Sequence, residues 1–294
     1  MNFATHWCRY NDNPLVKKEG VPQVNVYVRL QNTCNANCKF CEFCGKAKKF
    51  DEEKFKSLLI KLLLNNQLKI NKLSFTGGEP TLDFDLFKRM LDFVNTHGKD
   101  IFTVVNTNGL HLKELATLDI NSVALSRHHY DDDVNTSIFQ TKVPSAEDIS
   151  SYIKTHTEMY GEDNLHVSCN LQRDYIGSSE EVKKYLEWCS NTGISDVGFV
   201  GLMNVNEYCK EQFVDYDVLR IPDKKIIQTK RFSKDDGKQI TCKCANFVYA
   251  GENLVKFYCR YYACNNKESV LVYDIDEFKH GFAGENIEDW IESL

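Results

Sequence analysis

The chain has 294 residues, with 36 Lys+Arg against 42 Asp+Glu for a formal charge of −6, and 42% of its residues are hydrophobic. That composition can bury a full core, as one domain with an extension or as two smaller ones, and it excludes a disordered or collagen-like chain. No apolar run reaches the ~20 residues of a membrane span, the stretch Met1–Cys8 has no signal-peptide character, and the mild acidity argues against a grip on long nucleic acid, so a cytoplasmic protein without membrane or nucleic-acid partners is expected.

From residue 24 onward short apolar runs alternate with helical patterns. Val24–Leu30 alternates as a strand, and Asp51–Asn65 follows with Phe55, Leu58, Leu59, Leu62 and Leu63 at helical spacing behind Asp51 as N-cap. The pattern continues with a strand at Lys72–Thr76, a helix at Asp85–His97, a strand at Ile101–Asn106, a short helix near Lys113–Thr117 and a strand at Ser122–Ser126. A helix at Ser145–Tyr160, a strand at Leu165–Leu171, a helix at Ser179–Asn191 and a strand at Asp196–Leu202 complete six alternations. The run Asp131-Asp132-Asp133 reads as a solvated turn.

Such alternation implies an α/β fold of parallel strands joined by right-handed helical crossovers, as an open sheet or a barrel, with its chemistry beyond the carboxyl ends of the strands. The unusual residues fall there. A cysteine cluster follows the first strand, Gly77-Gly78-Glu79-Pro80 the second, Thr107-Asn108-Gly109 the third and Arg127-His128-His129 the fourth, while Asn170 ends the fifth. After Leu219 the pattern gives way to a lysine-rich stretch and a second cysteine cluster, which divides the chain into an N-terminal extension (1–23), a core (24–220) and a small C-terminal domain (221–294).

The 12 cysteines are too sparse for a disulfide scaffold, and two groups of soft ligands point to metal. Cys34, Cys38 and Cys41 are spaced CxxxCxxC. Three thiolates on one loop can hold three irons of a [4Fe–4S] cube and leave the fourth open; the alternative is a zinc site completed by Cys44. Cys242, Cys244, Cys259 and Cys264 form the second group, in a segment rich in Tyr and Phe. They are open to an auxiliary iron–sulfur cluster, a zinc site, or burial beneath a hairpin centred on Ala250–Asn253. Cys8, Cys44, Cys169, Cys189 and Cys209 read as small buried hydrophobes.

CxxxCxxC with Phe40 before its last cysteine, GGEP after the second strand and an Asn-Gly turn after the third together resemble the radical S-adenosylmethionine (radical SAM) superfamily over residues 24–204. The resemblance implies a partial (β/α)6 TIM-like barrel. Cys34, Cys38 and Cys41 would ligate the [4Fe–4S] cluster, whose open iron is chelated by S-adenosylmethionine. It further implies that Phe40 offers backbone contact to the adenine and that Gly77, Gly78 and Glu79, with Pro80 fixing the exit of the turn, hold the methionine amino group. Asn106, Thr107, Asn108 and Ser126 would contact ribose or carboxylate, Arg127 would pair with the carboxylate, and Asn170 would contact the ribose. His128, His129 and Tyr130 lie on the expected rim, where one of them could shuttle a proton or hold substrate, or where all form a polar loop.

The implied activity is reductive cleavage of S-adenosylmethionine to a 5′-deoxyadenosyl radical, hydrogen abstraction from a small molecule or peptide, and net oxidation or crosslinking. An electron donor such as flavodoxin or ferredoxin would feed the cluster, and the C-terminal segment looks like a short twitch- or SPASM-type extension with one auxiliary cluster. The GTP-using branch ends in Gly-Gly where this chain ends Ile291–Leu294, and no leader-binding domain fits the residues before the first strand, which favours a small molecule or a short peptide. The rival is a non-enzymatic zinc or iron–sulfur scaffold.

Overall fold

The computed structural model describes residues 22–42, 47–66, 68–228, 246–259 and 270–294. The six expected strands are β1 (Gln23–Gln31), β2 (Lys69–Gly77), β3 (Phe102–Thr107), β4 (Ser122–Ser126), β5 (Leu165–Leu171) and β6 (Asp196–Gly201). They pair in sequence order, all parallel. Helices α1 (Glu52–Leu64), α2 (Phe84–His97), α3 (Leu112–Leu115), α4 (Asp132–Phe139), α5 (Ala146–Tyr160) and α6 (Ser179–Thr192) provide the crossovers. The sheet does not close on itself, which makes this a partial (β/α)6 barrel.

Local chemistry sets the elements. Val24, Val26, Val28 and Leu30 on β1 are buried on one face, and Phe55, Leu58, Leu59 and Leu62 of α1 join the same apolar cluster. Each such side chain contributes about 1.5–3 kcal/mol by leaving water. Asp51, Asp83, Ser145 and Ser178 cap α1, α2, α5 and α6 by accepting from the backbone N–H three residues on. Asp131 caps α4 in the same way, with Asp132 and Asp133 in its first turn, so this acidic run begins a helix where a solvated turn was expected.

The described residues after 220 contribute strands to the same sheet. β7 (Ile226–Gln228), β8 (Asn246–Ala250) and β9 (Leu254–Cys259) follow the short helix α7 (Glu207–Glu211), and β9 pairs parallel with β6. β10 (Val270–Asp274) pairs parallel with β1 at the opposite edge, backed by antiparallel β11 (Phe278–His280) and followed by α8 (Glu288–Glu292). Among the described residues eight parallel strands thus stand side by side, in the order β10-β1-β2-β3-β4-β5-β6-β9. The hairpin expected around Ala250–Asn253 is present, tied to α6 by Ser190, whose Oγ donates to Asn253 O and accepts from Asn253 N, both at 2.8 Å. Among the described residues no helix is long and apolar enough to cross a membrane.

Candidate active site

The cysteine loop leaves β1 and is sewn to the glycine turn that leaves β2. Gly78 N donates to Gln31 O (2.9 Å), Glu79 N to Thr33 O (3.0 Å), and the Gln31 side-chain Nε2 to Glu79 O (2.7 Å). The approach admits only glycine: a Cβ on Gly78 would stand 1.9 Å from Thr33 O, and one on Gly77, whose φ is +126°, 2.2 Å from Gln31 O. The two glycines therefore serve first to bring the GGEP turn against the residues that lead into Cys34. Pro80 is buried at the start of the turn into α2.

Glu79 turns inward. Its side chain is 1% exposed; Oε1 accepts from Thr81 N (3.1 Å), Thr81 Oγ1 (2.6 Å) and Thr107 Oγ1 (2.7 Å), and Oε2 from Asn108 N (2.8 Å). Burial raises its carboxyl above the ordinary range while these donors oppose the shift. A carboxylate so occupied clamps the β2 turn to the β3 turn. Thr107 and Asn108 belong to the same network. Thr107 Oγ1 donates to Glu79 and accepts from Gly109 N (2.9 Å), and the Asn108 side chain donates to Asn35 Oδ1 (2.7 Å) and approaches Cys34 Sγ (3.7 Å).

Cys34, Cys38 and Cys41 are all half-buried, with a tight turn from Cys41 N to Cys38 O (3.1 Å). Ala36, Phe139 and Val143 form an apolar patch on which Cys34 and Cys38 pack, and Asn37 N bonds to Phe139 O (3.0 Å), so the C-terminal end of α4 holds the loop from one side. From the other side Asn206 Nδ2 donates to Lys39 O (3.0 Å) and Cys209 Sγ lies 3.5 Å from Phe40 O. Burial pushes the Cys34 thiol up, and the nearby charges of Glu79 and Cys41 add to this, while Ala36 N–H and the Asn108 amide pull it down. Among the described residues no three Cys, His, Asp or Glu side chains converge as they would around a single ion. A cube takes each thiolate at a different iron, and three thiols on one loop fit that donor set. Cys44, the expected fourth zinc ligand, lies outside the described residues.

Arg127 faces the helices. It has the same alternation phase as Val123 and Leu125, which face the helices, and its guanidinium is 1% exposed in that layer. Nε donates to His129 O (2.6 Å), Nη1 to Pro144 O (2.8 Å), and Nη2 to Tyr130 O (3.1 Å) and Asp132 Oδ1 (2.6 Å), with the Trp188 ring 4.8 Å from its carbon. It pins the β4 exit loop to α4, α5 and α6. The sequence signal for this placement was the phase of the strand.

Ser126, Asn106 and Asn170 are half-buried on the opposite face of their strands from the apolar cluster. The Ser126 hydroxyl and the Asn170 side-chain amide have no hydrogen-bond partner among the described residues, and Asn106 Nδ2 donates to Phe75 O (3.2 Å). Of the polar residues expected to meet the nucleoside, these three remain available to it.

His128 is buried on that inward face. Its ring stacks on Phe139 (4.9 Å, 7°) and meets Phe40 edge-on (5.0 Å, 85°), while Nδ1 accepts from Asn170 N (3.1 Å). Burial, reinforced by the Arg127 charge, lowers its pKa to about 3. The ring is therefore neutral at physiological pH. Because the folded pKa lies below the unfolded value of about 6.5, the unfolded chain binds the extra proton between them, and stability falls as pH drops through that window. Going from pH 7.5 to 4.5 costs about 2–3 kcal/mol at this residue. His128→Gln lacks the ionisable ring, so urea unfolding at the two pH values should show a smaller acid loss in the variant; an equal loss would contradict the assignment. His129 Nδ1 accepts from Asp131 N (3.0 Å) and Tyr130 Oη donates to Glu181 (2.8 Å), so both serve the loop.

Sequence reasoning missed Thr81, Asn135 and Trp188. Asn135 Oδ1 accepts from both His128 N (2.8 Å) and His129 N (3.2 Å). Its signal was the Asp131 cap, which places Asn135 one turn into α4.

Of the second cysteine group, Cys242, Cys244 and Cys264 lie outside the described residues, as does Cys8. Cys259 ends β9 with its side chain 1% exposed in the main apolar cluster; Cys169, Cys189 and Cys209 are buried as expected.

A family model described as the Radical SAM superfamily matches residues 28–216. The chain is 31% identical over 125 residues to a probable GTP 3′,8-cyclase of Thermoplasma volcanium, covering 40% of this chain and 37% of that one. It is 27% identical over 211 residues to a protein of the same description from Saccharolobus islandicus, covering 70% and 65%. It thus spans about a third to two thirds of these relatives' lengths. In fold it is similar to Streptococcus suis SuiB bound to S-adenosylmethionine, with a TM-score of 0.53 at 17% identity, over 67% of this chain and 45% of that one.

Proposed function

This chain belongs to the radical SAM superfamily, and we propose that it abstracts a hydrogen atom from a small-molecule or peptide substrate held at the carboxyl ends of its strands, with net oxidation or a new bond as the outcome. Membership brings a [4Fe–4S] cluster and S-adenosylmethionine, the reduced cluster supplying one electron that cleaves the sulfonium to a 5′-deoxyadenosyl radical.

The reading assigns Cys34, Cys38 and Cys41 as cluster ligands. The observation that carries it is the joining of their loop to the GGEP turn, which brings the half-buried thiols and the inward-facing Ser126, Asn106 and Asn170 to the same ends of the strands. Ser126 and Asn170 are proposed to bind the nucleoside, and Asn106 to offer its remaining acceptor. The backbone of Gly77, Gly78 and Phe40 stays at the loop's edge for the same ligand. Glu79, Thr107 and Arg127 hold these loops in register, and the Phe40–His128–Phe139 stack keeps water from one wall. An external one-electron donor such as flavodoxin or ferredoxin is proposed to feed the cluster. Cys242, Cys244, Cys259 and Cys264 are proposed to hold an auxiliary iron–sulfur cluster that accepts the substrate's electron.

GTP is a second candidate substrate, favoured by the naming of the two curated relatives. Cluster-loaded, reduced protein given S-adenosylmethionine and a perdeuterated small-molecule and peptide extract should release 5′-deoxyadenosine one mass unit heavier, and a parallel reaction with deuterated GTP separates the two readings. Deuterium from GTP alone selects that substrate; 5′-deoxyadenosine without deuterium from either source would overturn hydrogen abstraction from these classes.

A further inference from the structure

We propose that Asn108 is a positioning residue that donates a hydrogen bond to the Cys34 sulfur and thereby sets the reduction potential of the cluster. This rests on the reading of Cys34, Cys38 and Cys41 as its ligands.

The side chain is 6% exposed and its orientation is settled by its partners. Asn108 Oδ1 accepts from Leu110 N (3.1 Å), which fixes the oxygen end of the amide. Nδ2 is thereby turned to Asn35 Oδ1 at 2.7 Å and to Cys34 Sγ at 3.7 Å. The backbone of the same residue donates to Glu79 Oε2 at 2.8 Å. Asn108 is thus the joint between the β2 turn, the β3 turn and the first cysteine. A second N–H, that of Ala36, reaches the same sulfur at 3.3 Å. The cysteine loop supplies the Ala36 donor from its own backbone, whereas the Asn108 donor comes from another strand and can be removed without cutting the loop.

A hydrogen bond to a cluster sulfur draws electron density from it and favours the reduced, more negative state, so losing one makes the cluster harder to reduce. The buried Glu79 carboxylate acts in the opposite sense, adding negative charge near Cys34. Asn108 stands between the two groups, bonded to both. It is also one of the four residues expected from the sequence to touch ribose or carboxylate.

The test compares wild type with Asn108→Asp and Asn108→Ala after anaerobic reconstitution. The aspartate keeps the acceptor for Leu110 N–H and the size of the side chain while removing the amide donors. Its added charge also lowers the midpoint, as Glu79 does, so the neutral Asn108→Ala isolates the donor, and a wild-type midpoint in a loaded Asn108→Ala cluster overturns the proposal. EPR-monitored redox titration should give a more negative midpoint in both variants at unchanged iron content. In wild type exchanged into deuterium oxide, pulsed EPR should show an amide deuteron coupled to the cluster that Asn108→Ala lacks. A loaded Asn108→Asp cluster with the wild-type midpoint, or a deuteron signal indifferent to Asn108, would overturn the proposal. A Cys34→Ala chain that keeps a cluster able to cleave S-adenosylmethionine would instead overturn the ligand assignment beneath it.

Discussion

Replacing Cys34, Cys38 or Cys41 singly by Ala abolishes 5′-deoxyadenosine formation, to the level of a protein-free control. Each thiolate binds a different iron of the cube, so none can substitute for another, and the open fourth position exists only while all three corners are held. The loop tolerates the change structurally: Cys34 and Cys38 pack at the margin of the small Ala36–Phe139–Val143 patch and are half-buried, so the loss of a sulfur leaves no deep cavity. Folding and S-adenosylmethionine cleavage therefore come apart in these variants, with the urea midpoint of the metal-free chain kept and product lost. Replacing Cys34, Cys38 and Cys41 together by Ala also reads the C-terminal cysteines. About four irons per chain remain if Cys242, Cys244, Cys259 and Cys264 hold a cube of their own, and near-zero iron refutes the auxiliary site.

Arg127→Ala has the opposite profile and strikes the fold. The substitution leaves the carbonyls of His129, Tyr130 and Pro144 without the donors they have now, at about 1–3 kcal/mol for each that stays dry, and it empties the space beside Trp188. The ion pair with Asp132 adds less, because that carboxylate is 47% exposed and water takes it back. The total expected is about 3–5 kcal/mol, a large share of the roughly 5–15 kcal/mol that keeps a domain folded. Arg127→Lys keeps the charge but cannot reach four acceptors lying in different directions, so it should recover only part of the loss. Urea unfolding measures both. A variant of wild-type stability whose only defect is weak S-adenosylmethionine binding would return Arg127 to the cofactor.

The order of strands and helices in the core was legible because each crossover writes its own pattern: Asp51, Ser145 and Ser178 announce helices, and β1 alternates cleanly between Val24 and Leu30. The placement of the chemistry at the strand ends was legible for the same reason. The direction of individual polar side chains was not. Glu79 and Arg127 sit where a ligand is expected, yet Glu79 meets four donors from two turns and Arg127 lies on the helix-facing phase of β4, and only the packing of distant segments decides between those fates. The C-terminal strands show a second limit. Val270–Asp274 pairs with Asn25–Arg29, about 245 residues away along the chain, and no local pattern carries a register of that span.

The central claim is that this chain cleaves S-adenosylmethionine reductively at a cluster held by the loop after β1. Anaerobically reconstituted protein, reduced and given S-adenosylmethionine, should form 5′-deoxyadenosine and methionine in equal amounts, measured by liquid chromatography with mass detection. An intact, reducible [4Fe–4S] cluster that yields neither product would contradict it.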